Sequence, residues 1–140
     1  MARPMRTPPS EDMAVAGTSD YAYQAFWILR VAFILAPIIA GLDKFAHVLV
    51  DWSQYLTTLV PQWTGMPADS FMMIVGVIEI IAGLVVVFKP RYGGWLVAVW
   101  LWGIIINLLL VPGYYDIALR DFGLSLGAVS LARLSEIYDR

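Results

Sequence analysis

The chain contains no cysteine and a single histidine, His47, among its 140 residues. Without cysteine it cannot form a disulfide, a thiol redox pair, an iron–sulfur cluster or a cysteine-ligated metal site. One histidine also excludes a multi-histidine haem or di-copper centre built from this chain alone. His47 is therefore interpreted as an interfacial or hydrogen-bonding residue rather than a metal ligand. We expect no metal site, no intrinsic cofactor and no self-contained catalytic centre.

Charged residues are also scarce, at 14% of the chain against 60% hydrophobic residues. A soluble domain of ordinary composition carries about 25% charged residues. The net charge of −2 provides no basic surface for nucleic acid. Composition therefore predicts one compact membrane domain, residues 21–140. Residues 1–20 are polar and proline-rich, lack the apolar stretch of a secretion signal, and are predicted to form a flexible tail.

Four segments, 24–45, 70–88, 94–111 and 115–134, have the length and apolar character of membrane helices. They predict an all-α, polytopic four-helix bundle. Six positive charges fall on one side of the predicted spans, and only Lys44 and Arg120 fall on the other. The positive-inside rule therefore predicts a bacterial inner-membrane protein with both termini in the cytoplasm. The six are Arg3, Arg6, Lys89, Arg91, Arg133 and Arg140.

The segment 48–68 joins the first two predicted spans and is too interrupted to cross a bilayer. Its aromatic residues, Trp52, Tyr55 and Trp63, suit a short helix in the headgroup zone. Two placements stay open at this point. The segment either covers polar residues inside the bundle or lies on the membrane surface.

Small and polar residues share one face of each predicted span, which is the face expected to contact other helices in lipid. Glu79 lies near the middle of the second span, between Gly76 and Gly83. Arg30 is expected to extend to the cytoplasmic headgroups. Gly123 and Gly127 fit either packing within the chain, which we favour, or dimerisation. The predicted inward stripes are Arg30, Pro37, Gly41 and Lys44; Gly76, Glu79 and Gly83; Gly93, Leu96, Trp100, Gly103 and Asn107; and Asp116, Arg120, Gly123 and Gly127.

The polar residues on these stripes concentrate toward the non-cytoplasmic end of the bundle. Asp116 and Arg120 are spaced for a favourable helical ion pair. The set has three interpretations: a structural network that fixes the helix register, a pocket for a small amphipathic ligand such as a quinone head group, or an ion or proton path. The candidate cluster is Lys44, Glu79, Asn107, Asp116 and Arg120, with Asp43, His47, Tyr115 and Asp121 as secondary members.

Three short motifs resemble the DoxX-like family of small four-helix bacterial membrane proteins. They are GLDKF at 41–45, IEIIAGL at 78–84 and KPRYGG at 89–94. The resemblance makes Lys44 and Glu79 family-like polar positions. It also implies an accessory or membrane subunit of a quinone-linked redox system, with an oxidoreductase partner subunit and a quinone as candidate ligand. The alternative is a membrane scaffold or assembly factor whose polar cluster is structural.

Overall fold

A computed structural model describes the backbone of residues 9–138 and the side chains of residues 20–138. The predicted all-α fold is confirmed, because this part of the chain is helical and contains no strand. Residues 1–8 of the predicted flexible tail lie outside the described residues, whereas residues 9–20 form the first turns of helix α1. The helices are α1 (Pro9–Ala46), α2 (Leu59–Thr64), α3 (Ala68–Phe88), α4 (Pro90–Leu109) and α5 (Tyr115–Tyr138), with a 3₁₀ turn at Trp52–Tyr55.

Prolines set several of these helix boundaries. Pro67 is the extended residue that precedes α3, and Pro90 is at the first position of α4. A proline at the first helical position loses nothing, because the N–H that it lacks would have no partner within the helix. After α4 the chain turns through Pro112 and Gly113, and Gly113 has a positive φ of 98°. Because α4 begins at Pro90, a single residue, Lys89, separates it from α3.

Within the described part of the chain, three helices are long and apolar enough to cross a membrane: α1 from Asp20 onward, α3 and α4. The prediction of a membrane-associated helical protein is confirmed to that extent. α5 has 24 residues but is not among these three helices. Its sequence carries five charged residues. They are Asp116, Arg120, Asp121, Arg133 and Glu136.

α1 and α3 pack closely because glycines face each other across their contact. A Cβ added to Gly41 would lie 2.5 Å from the carbonyl oxygen of Gly76, and one added to Gly76 would lie 2.7 Å from that of Gly41. Further along, a Cβ on Gly83 would lie 2.5 Å from the side chain of Ile38. Close backbone approach increases dispersion between helices in lipid, where no hydrophobic effect drives them together. The predicted inward face of α3 (Gly76, Glu79, Gly83) is buried, as expected.

α4 and α5 pack along each other, but not by the predicted faces. Leu96 and Gly103 of α4 are exposed, and its buried face instead contains Gly94, Val97 and Ala98. A Cβ on Gly94 would lie 2.8 Å from the Ala128 carbonyl oxygen of α5. The predicted inward stripe of α5 is also wrong, since Asp116, Arg120 and Gly123 are exposed. The buried residues of α5 are Ala118, Asp121, Ser125, Ala128, Leu131, Ala132 and Ser135.

Arg30 makes contacts within the bundle, and its predicted extension to the cytoplasmic headgroups stays a prediction. Its Nη2 donates a hydrogen bond to the carbonyl oxygen of Val87, in the last turn of α3. Carbonyls in a last helical turn lack partners within the helix and carry partial negative charge, so a cation there is favourable. The guanidinium also stacks on Trp27, with 4.7 Å from Cζ to the ring centroid. Arg30 therefore ties α1 to the end of α3.

Apolar side chains fill one end of the bundle and polar side chains collect at the other. The apolar core contains side chains from all four long helices. They come from the middle of α1, the later part of α3, the first half of α4 and the later part of α5. Its buried members are Phe26, Phe33, Ala82, Val86, Val97, Ala98, Ala128 and Leu131.

Candidate functional site

A buried ion pair joins α1 to α3 at the polar end of the bundle. Lys44 Nζ lies 2.8 Å from Glu79 Oε1, and the two side chains are 3% and 8% exposed. Lys44 is in the last turn of α1, one helical turn beyond Gly41. The Gly41–Gly76 contact brings the two backbones close enough for this direct pairing. The structure thus brings together the two family-like positions, Lys44 and Glu79.

The segment after α1 folds back over Lys44. The ring of Trp52 lies 3.9 Å from Lys44 Nζ, measured to the ring centroid. An indole face attracts a cation through its quadrupole, and the attraction grows when water is excluded. Lys44 therefore has two partners of different chemistry: the Glu79 carboxylate and an aromatic face.

Asp43 fixes this covering segment. Its carboxylate accepts hydrogen bonds from the backbone N–H of Val48 (2.8 Å) and of Leu49 (3.0 Å), and from Trp52 Nε1 (2.8 Å). His47 makes the turn possible by adopting a positive φ of 54°, and its N–H donates to the Asp43 carbonyl oxygen at 2.7 Å. The exposed His47 thus ends α1.

The next residues form a capped turn. Asp51 accepts from the Ser53 hydroxyl at 2.6 Å and from the Ser53 backbone N–H at 3.2 Å. These hydrogen bonds hold the pKa of the Asp51 carboxyl below its usual range. The Trp52–Tyr55 turn therefore starts from an ionised cap.

Asn107 of α4 holds the second half of the same segment. Its Oδ1 accepts from the backbone N–H of Thr57 at 2.8 Å, and its Nδ2 donates to the carbonyl oxygen of Tyr55 at 2.6 Å. The Tyr55 ring also meets the Tyr114 ring at 4.9 Å between centroids. Asn107 is thus a loop anchor, because its amide group bonds to the backbone of residues 55 and 57 rather than to the Lys44–Glu79 pair. This part of segment 48–68 therefore takes the first of the two placements considered for it: it covers polar residues inside the bundle.

The later part of the segment lies outside. α2 carries Trp63, which is 86% exposed, and Leu59, which is 44% exposed. Val48 and Leu49 are also exposed. For this later part, the predicted position on the membrane surface stays a prediction.

Two further polar groups face Glu79. The Trp100 indole N–H and the Asp121 carboxylate act on the Glu79 carboxylate from α4 and α5. Trp100 Nε1 is buried and lies outside hydrogen-bonding geometry with any partner among the described residues. The indole N–H is therefore a buried donor near the Glu79 carboxylate, and it can donate to that carboxylate or to the oxygen of a ligand.

Asp121 borders the pair, whereas the other predicted members on α5, Arg120, Asp116 and Tyr115, are exposed. Asp121 is buried, with Oδ1 3.2 Å from Nη2 of Arg120, whose side chain is 65% exposed. The predicted Asp116–Arg120 ion pair is wrong, because Arg120 turns to its neighbour Asp121 instead. Asp116 and Tyr115 are exposed at the start of α5. The site consists of the Lys44–Glu79 pair with Trp52, Trp100 and Asp121 around it.

Sequence reasoning missed Trp52 and Trp100 as members of the site. Trp100 lies on the predicted stripe of α4 but reads equally well as a packing residue. Trp52 has a weaker signal, because only the Asp43 hydrogen bonds and the left-handed His47 bring it back over Lys44. Comparison of the chain with protein-family models, curated proteins and solved structures finds no match.

Proposed function

We propose that the protein is an integral membrane subunit or accessory component of a quinone-linked redox system, without a redox centre of its own. The Lys44–Glu79 pair would be its quinone-responsive site. The observation that carries this proposal is a buried ion pair next to a buried N–H donor, Trp100 Nε1, that lies near the Glu79 carboxylate without forming a hydrogen bond of good geometry. The resemblance to DoxX-like proteins supports the same function.

The chemistry of the site suits a quinone head group. A quinone offers two carbonyl oxygens, which accept hydrogen bonds, on a flat apolar ring. Lys44 and Trp100 can donate to such oxygens. The Glu79 or Asp121 carboxylate can accept a proton when a quinol is oxidised, with the two electrons passing to the redox centre of the oxidoreductase partner subunit. Trp52 covers Lys44 now, so binding requires the Trp52 ring to move aside or to stack on the quinone.

Quinone-dependent stabilisation tests the proposal. A short-chain benzoquinone and a short-chain naphthoquinone are added to the purified protein, and its thermal unfolding is followed. A ligand at 100 times its dissociation constant stabilises the folded state by about 2.7 kcal/mol. We expect stabilisation of the wild type and of Glu136→Gln, which alters the distant Arg91–Glu136 pair. Glu79→Gln is expected to lose it.

A scaffold or assembly factor is the second candidate, and one observation favours it. The Lys44–Glu79 pair is closed, directly bonded and set at the closest contact between α1 and α3, which suits a purely structural device. If Glu79→Gln lowers stability equally with and without either quinone, the scaffold function stands. Copurification from native membranes adds a second readout, since a redox subunit should bring its catalytic partner.

A further inference from the structure

The outward face of α5 carries a continuous row of small, apolar and charged residues. They recur at spacings of three and four, as on the contact face of a two-helix coiled coil. Every one of them is exposed, including Leu119 at 72%. We call this row the α5 seam. Its members are Asp116, Leu119, Gly123, Leu126, Ser130, Arg133 and Ile137.

Gly123 makes an indentation in the middle of the α5 seam. A Cβ added there would meet nothing within 4 Å, so no part of the described chain uses the space. Gly127, by contrast, is filled from within, because a Cβ there would lie 3.3 Å from the Phe33 ring. Packing within the chain therefore accounts for Gly127 and not for Gly123.

The polar members of the α5 seam are compatible with a protein partner. The Ser130 hydroxyl donates to the Leu126 carbonyl oxygen at 2.9 Å, so it needs no partner at an apolar contact. α5 is less apolar than the three helices suited to span a membrane, yet it packs along α4, which is one of them. Lipid is a poor neighbour for a face that carries Asp116, Arg120 and Arg133.

The charges on this face are complementary to a copy of themselves. Two copies inserted in the same orientation are related by a two-fold axis along the membrane normal, so their α5 helices run parallel. Side chains on a helix lean toward its N-terminus. Arg120 of each copy can then reach Asp116 of the other across the one-turn offset, giving two reciprocal ion pairs. Within its own copy Arg120 donates to Asp121 from Nε and Nη2, and its 65% exposed side chain offers Nη1 for this contact.

We propose that a second copy of this chain binds along the α5 seam, with the two α5 helices crossing at Gly123. Glycine at the crossing lets the two backbones approach closely, as small residues do at membrane helix contacts. Asp116 and Arg120 fix the register through the reciprocal pairs. This inference does not depend on the proposed quinone site, which lies on the opposite side of α5.

The absence of cysteine allows a direct test on the full-length protein in membranes. Single cysteines are introduced as Gly123→Cys and Leu126→Cys, and oxidation is induced with copper–phenanthroline. A disulfide requires Cα atoms within about 7 Å. We expect disulfide-linked dimers from both variants. The matched controls are Leu124→Cys, exposed on the flank of the same helix, and Gly103→Cys, exposed on α4.

A second measurement uses oligomeric state in lipid bilayers, by single-molecule photobleaching at decreasing protein-to-lipid ratio. Gly123→Leu should raise the dimer dissociation constant by roughly tenfold or more. Gly103→Leu should leave it unchanged, because both glycines face open space and both substitutions leave the fold intact. A monomeric wild type, or equal crosslinking of Gly123→Cys and Gly103→Cys, overturns the proposal. So does equal weakening of the dimer by both leucine variants.

Discussion

Lys44 and Glu79 illustrate how a membrane protein keeps charge in its interior. Each charge alone would be costly away from water, and their attraction offsets that cost only when geometry is close and both groups are satisfied. The 2.8 Å contact and the Trp52 ring meet those conditions. Replacing both charges should therefore change the free energy of unfolding little, whereas removing one of them should lower it strongly.

Removing one member of the pair should therefore be strongly destabilising. We expect Lys44→Met to lower the free energy of unfolding by about 3–5 kcal/mol, because it leaves the Glu79 carboxylate buried without its partner. The double variant Lys44→Met/Glu79→Leu should recover most of that loss. Equilibrium unfolding in detergent micelles measures both variants and yields the coupling energy.

The Arg91–Glu136 pair provides the comparison, since its side chains are 39% and 31% exposed. Exposed pairs contribute about 0–1 kcal/mol, so Glu136→Gln should cost far less than Lys44→Met. A double variant at Lys44 and Glu79 no more stable than Lys44→Met would contradict the argument.

Asp43 is the residue on which the covering segment depends. Asp43→Ala removes the acceptor for two backbone N–H groups and the Trp52 indole, so residues 48–52 should open more often. Hydrogen–deuterium exchange of that peptide measures the change, and we expect exchange to quicken there. Asn107→Leu is the control and should quicken exchange at Tyr55–Thr57 instead. If the two variants quickened exchange in the same peptides, Asp43 and Asn107 would not be separate anchors of the covering segment.

At the scale of helices, glycine has opposite effects at two positions that look alike in sequence. A Cβ at Gly41 would press on the backbone of α3, and one at Gly103 would meet open space. We expect Gly41→Ala to destabilise the protein and to separate α1 from α3. Gly103→Ala should stabilise it by about 0.5–1 kcal/mol, because alanine loses less backbone entropy in a helix.

Unfolding of the two alanine variants under matched conditions gives the comparison. If Gly103→Ala and Gly41→Ala shift stability in the same direction, the close α1–α3 contact is not a feature of the folded protein.

The inward faces of α1 and α3 could be predicted from sequence, and those of α4 and α5 could not. On α3 a single acid, Glu79, lies between glycines. Close helix packing and the exclusion of a charge from lipid therefore favour the same face. On α5 the same reasoning chose Asp116, Arg120 and Gly123, which are exposed. The true inner face of α5 is built from alanine and serine, whose pattern resembles that of any small-residue helix. Its serine hydroxyls donate to carbonyls of their own helix, as Ser135 does to Leu131.

Helix boundaries were easier to predict than helix neighbours. Pro67, Pro90 and Pro112 act locally, so their effect on the backbone needs no knowledge of the fold. The position of Trp52 over Lys44 depends on a turn conformation at His47 that a β-branched residue would resist, and on three hydrogen bonds to Asp43. Long-range placement of that kind is set by tertiary geometry and leaves little trace in the sequence.

For the whole molecule, the proposed orientation has both termini in the cytoplasm, which requires α5 to cross the bilayer beside α4. Single cysteines in this cysteine-free chain can be labelled from either side of sealed vesicles. We expect Gln62→Cys and Asp116→Cys to react with an impermeant maleimide from the outside. Tyr92→Cys and Ile137→Cys should react from the cytoplasmic side. All four side chains are exposed in the single chain. Labelling at a low protein-to-lipid ratio keeps the two α5 seam positions, Asp116 and Ile137, free of a second copy.

The two α5 positions decide this experiment, because α5 is not among the helices whose composition suits them to span a membrane. Labelling of Asp116→Cys and Ile137→Cys from the same side would mean that α5 does not cross. It would also remove the membrane setting assumed for the α5 seam.

Asp43 and Lys44 are neighbours in the chain, yet they hold different parts of the molecule. The first is bonded to the segment that follows α1, and the second is bonded to α3. Any twist of this one helical turn must therefore strain both attachments together. We therefore expect exposure of the Glu79 carboxylate and displacement of the Trp52 ring to occur together.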